Sequence, residues 1–155
     1  MNDARWTDVA ADFAVATEHF RNAVALYESG GFDAPGLDAY RARMAFMHAM
    51  QAAHTSLEGG LVRVMETIGE ERPLGERWHA DLIRRAGMER PGVRPAILDP
   101  ELAAAADETR RFRNRAMRAY DSFDPAPAKP AVDAAQTLAD GLTIALGKLI
   151  AALDP

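Results

Sequence analysis

The sequence predicts an all-α protein, an antiparallel helical bundle of four long helices plus one short helix. Three observations carry that expectation. Hydrophobic residues make up 48% of the chain and aromatics only 7%. Alanine supplies much of the apolar content and β-branched residues are sparse, which favours close-packed helices over sheet. Apolar residues recur at spacings of three and four along several long stretches. Proline- and glycine-rich segments interrupt the chain where those patterns stop. With 155 residues, one domain over 1–155 is expected, large enough for a single core.

Thr7 or Asp3 is expected to cap a first helix running to about Glu28. Its stripe is Val9, Phe13, Ala16, Phe20, Val24 and Tyr27, and Ser29-Gly30-Gly31 ends it. After the turn Ala34-Pro35-Gly36-Leu37-Asp38, a second helix is expected from about Asp38 to Ile68. Its seam is Tyr40, Met47, Met50, His54, Leu57, Leu61, Val64 and Ile68. Gly59-Gly60 lies inside it at a cost of about 1 kcal/mol per glycine, so the pair marks either a close helix contact or a kink. Glu70 to Gly75 is a turn, and Glu76 to Gly87 a short helix using Trp78, Leu82 and Ile83. Arg90-Pro91-Gly92-Val93-Arg94-Pro95 is an extended connector, since its prolines remove donors and restrict their neighbours. Asp99-Pro100-Glu101 starts a fourth helix that ends near Ser122. Asp124 to Pro130 breaks the chain again. The last helix, Ala131 to Leu153, uses Val132, Ala135, Leu138, Leu142, Ala145, Leu149 and Ala152.

Composition excludes several functions. A net charge of −5 makes the whole molecule no general nucleic-acid binder, so any polyanion contact needs a local basic patch. The absence of cysteine rules out disulfides, thiolate metal sites and a cysteine nucleophile. The start Met1 to Trp6 lacks the basic and apolar regions of a signal peptide, and no uncharged apolar run approaches a membrane span. A cytoplasmic protein with no membrane partner is expected. Carboxylate di-metal bundles need two Glu-x-x-His pairs, and only Glu76-Arg77-Trp78-His79 has that spacing. His48 and His54 point about 120° apart on one helix, and His54 reads as a hydrogen-bonded core histidine. No metal and no cofactor are therefore expected. Trp78-His79 reads as a packing pair. Neither a Gly-x-Ser-x-Gly elbow nor a phosphate-cradling glycine loop is present.

The most informative stretch runs from Arg110 to Asp121. Five arginines fall within nine residues, 110 to 118, in an otherwise acidic chain. As a helix it places Phe112, Ala116, Ala119 and Phe123 on one apolar stripe with Tyr120 beside them. Asn114 projects opposite, with Arg111 and Arg118 on one flank and Arg113 on the other. A charge run of this kind is commonly a solvated face.

The order of residues adds more. Arg113-Asn114-x-x-x-Arg118-x-Tyr120 resembles the motif of the HEPN superfamily: arginine, a polar residue, about three others, then histidine. In the HepT branch a tyrosine follows two residues later. Leu57-Glu58, Gly75-x-x-Trp78-His79-x-x-Leu82-Ile83, Val93-Arg94-Pro95 and Arg110-Arg111-Phe112-Arg113 are also similar to HepT-like toxins, in the same order over roughly 40 to 123. The resemblance implies a HEPN-like bundle. It makes Arg113 the match of the family's active-site arginine, Asn114 its polar neighbour and Tyr120 the tyrosine that a nucleotidyltransferase antitoxin adenylylates. Arg118 stands where the family has histidine. Arg113, Asn114 and Arg118 are thus the candidate catalytic residues, and Tyr120 the modification site.

That departure divides the functional expectation. Histidine exchanges a proton near neutral pH, whereas arginine, with a pKa above about 12, binds phosphate without acting as a base. No other histidine lies nearby in sequence. One reading is a metal-independent HEPN endoribonuclease toxin that cleaves RNA such as transfer RNA and is neutralised by a nucleotidyltransferase. Another is a HepT-like protein of a toxin–antitoxin type system with weak or no ribonuclease activity, a homodimer that binds RNA or a partner. Losing a general acid–base costs roughly 10²–10⁴ in rate, which favours the second. The third is an orphan helical bundle with a structural role.

Overall fold

Five α-helices and two 3-10 turns build the described residues, 4–118 and 124–154 of a computed structural model. No strand forms among them; the one β-type pairing is an isolated bridge between Arg90 and Arg94. Helix α1 spans Thr7–Ser29 and buries Val9, Phe13, Ala16, Phe20 and Val24. Its start differs from expectation. Thr7 is its first residue rather than its cap, and Trp6 in the cap position makes no capping bond. Tertiary contacts hold this end instead: the buried Trp6 indole donates to Asp154 Oδ2 at 2.6 Å, and Arg5 pairs with the same carboxylate. Asp3 lies outside the described residues.

Helix α2, Leu37–Thr67, packs along α1. It runs unbroken through Gly59-Gly60, and of the pair Gly60 serves close contact. A Cβ on Gly60 would lie 2.7 Å from the Phe13 ring of α1. The seam is buried from Met47 to Val64, but Tyr40 is 56% exposed and Ile68 only partly buried. The seven-residue step keeps Tyr40 within about 20° of Met47 around the helix, yet at this end of α2 Ala39 is the buried residue. Phe46 is fully buried, with its ring 5.8 Å from Tyr27, 6.0 Å from Phe32 and 5.8 Å from Phe112.

Helix α3, Trp78–Ala86, is two residues shorter at its start than expected and buries Leu82 and Ile83. The segments on either side of it are tied together at Glu70. Arg94 is buried and donates through Nε and Nη2 to Glu70 at 2.7 and 3.1 Å. Its remaining donors meet the carbonyls of Met88, Pro95 and Arg85. Arg85 and Arg90 approach the same carboxylate at 2.9 and 3.4 Å. The connector is therefore fixed by one bidentate guanidinium rather than by backbone pairing alone.

Helix α4, Pro100–Arg118, begins as expected, with Asp99 Oδ1 accepting from the Leu102 N–H at 2.8 Å. Its expected end near Ser122 lies outside the described residues. A 3-10 turn at Ala126–Ala128 leads into α5, Lys129–Leu153, which packs on α1 and α4. Its inward face is the expected one except that Ala152 is exposed and Ala145 only partly buried. The stretch Ala126–Leu153 is, by length and composition alone, long and apolar enough to cross a membrane, as the core helix of a bundle can also be. Its charges interrupt any uncharged run, yet alanine and leucine keep the mean hydropathy high, and its buried residues face neighbouring helices. Side chains of all five helices join one continuous core.

Candidate functional site

Helix α4 presents Phe112 to the aromatic cluster around Phe46, and that anchor aims the next residue, Arg113, at α2. There Arg113 Nη1 donates to Glu58 Oε1 at 2.9 Å. Glu58 comes from the seam side of α2 and is almost fully buried. Its other oxygen, Oε2, lies 2.6 Å from His79 Nδ1 on α3. One buried carboxylate thus joins α2, α3 and α4.

Two further groups shape this junction. The Trp78 ring lies against His79 with centroids 3.7 Å apart, and the Arg72 guanidinium sits 5.4 Å from the Trp78 ring centroid. His54, fully buried one turn before Glu58, holds Thr109 of α4 through Nδ1 at 2.8 Å. This bears out the hydrogen-bonded core histidine. Its Nε2 is 3.4 Å from Glu58 Oε2, beyond an ordinary hydrogen bond, and has no hydrogen-bond partner.

The electrostatics follow from this crowding. Burial pushes the Glu58 carboxyl up, but the His54 and His79 rings more than offset it and hold it at about 2. Glu58 is therefore an anion throughout the neutral range and accepts hydrogen bonds only. Above it opens a cavity of about 510 Å³, lined among others by Glu58, His79, Arg113, Trp78, Arg72 and Arg63. Arg63 is committed to Asp12 at 2.6 Å. Arg72 pairs with no carboxylate among the described residues, and the Arg113 side chain stays 21% exposed. Asp12 and Glu66 also line the cavity, and an anion entering beside Arg113 and Arg72 would meet planar donors.

The expected site residues separate. Arg113 lies in this cavity. Asn114, its neighbour, is exposed and does not line it. The Arg118 side chain and all of Tyr120 lie outside the described residues. Much of the expected guanidinium face is paired within its own helix: Arg110 with Asp107 at 2.8 Å, Arg111 with Asp107 at 3.3 Å and Arg115 with Glu108 at 3.6 Å. Among the described residues, no group of three or more His, Cys, Asp or Glu side chains is arranged to hold a metal ion.

Two residues named in the sequence for their family resemblance turn out to sit at the site. His79, read as half of a packing pair, also hydrogen-bonds Glu58, so a histidine shares the carboxylate of Arg113 although none lies near Arg113 in the chain. Glu58 carried a usable signal: an acid four residues after His54, on the flank of an apolar seam.

A family model described as HepT-like protein matches residues 45–153, well over half of the chain. The span includes Glu58, His79 and Arg113, and leaves α1 outside. No curated protein and no solved structure matches.

Proposed function

We propose a function from one premise: the chain belongs to the HepT-like protein family. On our reading the five helices form the HEPN-like antiparallel bundle of four long helices and one short one. The protein serves a toxin–antitoxin type system in the cytoplasm, as a homodimer that binds RNA or a nucleotidyltransferase antitoxin. Its motif positions supply binding, with weak or no ribonuclease activity of their own, because neither Arg113 nor Arg118 exchanges protons near neutral pH.

The observation that carries this reading is the setting of Arg113. Among the described residues Arg113 pairs with Glu58 alone, through Nη1, so the rest of its donor fork faces the cavity, and Arg72 beside the Trp78 ring meets no described carboxylate. A guanidinium held from behind by a carboxylate loses little freedom on meeting phosphate. The alternative, an active metal-independent ribonuclease, has one observation in its favour, namely that His79 lines the same cavity.

Fluorescence anisotropy with labelled single-stranded RNA tests the binding. Affinity should fall as salt rises, and Arg113→Ala should weaken it by about tenfold, the scale of one charge-assisted contact. Unchanged affinity in Arg113→Ala refutes the phosphate-anchor role. Capture of a nucleotidyltransferase with no RNA binding would leave a partner-binding module.

A further inference from the structure

We propose that His79, oriented by Glu58, is a proton-transfer residue acting on an RNA phosphodiester anchored at Arg113. The inference rests on the phosphate-anchor reading of Arg113 and adds a catalytic residue outside the motif.

Three observations support it. First, the tautomer is set by chemistry. Glu58 accepts only, so the His79 nitrogen facing it, Nδ1, must carry a proton. In the neutral ring the lone pair then belongs to Nε2, and Nε2 hydrogen-bonds no described residue. This is the orientation in which imidazole takes a proton from a substrate. Second, the His79 side chain is 39% exposed and lines the cavity, whereas His54 on the same carboxylate is sealed. Third, Arg113 and His79 hold the two oxygens of one carboxylate, which fixes a phosphate donor and an imidazole ring on the same anchor. The Trp78 ring, stacked on His79, limits rotation of the imidazole.

The step balances without metal or oxidant. The ribose 2′-oxygen attacks the adjacent phosphorus while its proton passes to His79 Nε2. The bond from phosphorus to the 5′-oxygen breaks, and that oxygen takes a proton from water. A 2′,3′-cyclic phosphate and a 5′-hydroxyl result, and His79 returns its proton to water. The charged and titrating groups around the ring are Glu58, His54, Arg63 and Glu66 of α2, Arg113 of α4, Arg72 of the loop before α3, and Asp12 of α1.

The test is cleavage of end-labelled single-stranded RNA in chelator, from about pH 5 to 9, with binding measured in parallel. The variants are His79→Ala and His79→Gln. Glutamine can still donate to Glu58, so it restores a structural role but not proton transfer. The natural chain should cleave slowly. Both variants should lose about 10²-fold or more in rate, keep RNA affinity within about threefold, and keep their helical circular dichroism. RNA with 2′-deoxyribose throughout should stay intact. Binding without any cleavage by the natural chain overturns this inference and leaves the RNA-binding reading standing; no RNA binding at all removes both. Cleavage that survives in His79→Gln, or of the deoxy strand, also overturns it.

Discussion

Replacing Glu70 by glutamine tests how much one carboxylate contributes to the fold around the site. Burial raises the Glu70 carboxyl, but Arg94, Arg85 and Arg90 more than offset this and hold it at about 2, against an ordinary 4.5. A carboxyl depressed on folding stabilises fully above its unfolded value, and that contribution is lost as pH falls through the folded one. At about 1.4 kcal/mol per pH unit the difference amounts to about 3 kcal/mol at neutral pH. A second route agrees: removing one partner of a buried pair costs about 3–5 kcal/mol, because Arg94 would keep its charge without a counter-charge. The assay is urea unfolding of the natural chain and Glu70→Gln at about pH 7 and about pH 3. The variant should be about 3 kcal/mol less stable at neutral pH, and the gap should narrow to about 1.4 kcal/mol near pH 3, where Glu70 is protonated in the unfolded chain but still mostly ionised in the folded one. A gap that does not change with pH, or one under about 1 kcal/mol at neutral pH, refutes the reasoning.

Other perturbations read different parts of the molecule. Gly60→Ala gains about 1 kcal/mol in helix propensity but forces a methyl into the Phe13 ring at an overpacking cost of about 1–3 kcal/mol. A net loss in thermal unfolding is expected, and a more stable variant would show that α1 and α2 do not need this contact. Arg118→His should raise RNA cleavage several-fold without tightening binding, since it adds a titrating group at a motif position; a change in affinity alone contradicts that. Incubation with a cognate nucleotidyltransferase and ATP should add AMP at Tyr120, read by intact mass and peptide mapping. An adduct on Tyr27 or Tyr40 instead removes the assignment. Sedimentation should show a dimer at micromolar concentration, and a monomer there counts against the homodimer.

The helices were legible in the sequence because their apolar spacing is strong and their breakers are unambiguous. Their ends were less so. Thr7 has the chemistry of a cap, yet the start of α1 is held by Trp6 and Asp154, which lie 148 positions apart. No local rule sees that. Tyr40 was placed on the seam by periodicity alone, and near the start of α2 periodicity does not decide whether a neighbouring helix covers the position. The site divides in the same way. Arg113 was found because its motif is local. Glu58 and His79 were named as family-like residues, and their pairing at Arg113 was not legible because Glu58 lies 55 residues before Arg113 and 21 residues before His79. Trp78-His79 looked like packing because stacking is indeed one of its two contacts.

The shared carboxylate of Glu58 also sets an order of events. The cavity's anchor, its titrating ring and the acid between them come from three helices, and α4 is the last of these to leave a ribosome. A growing chain therefore carries α2 and α3 without Arg113, with the buried acid still lacking its cation. Only docking of α4, through Phe112 against Phe46, closes the arrangement. For a protein proposed to act on RNA this separates synthesis from competence: a nascent, half-made chain holds no assembled cleft to turn on the RNA around it.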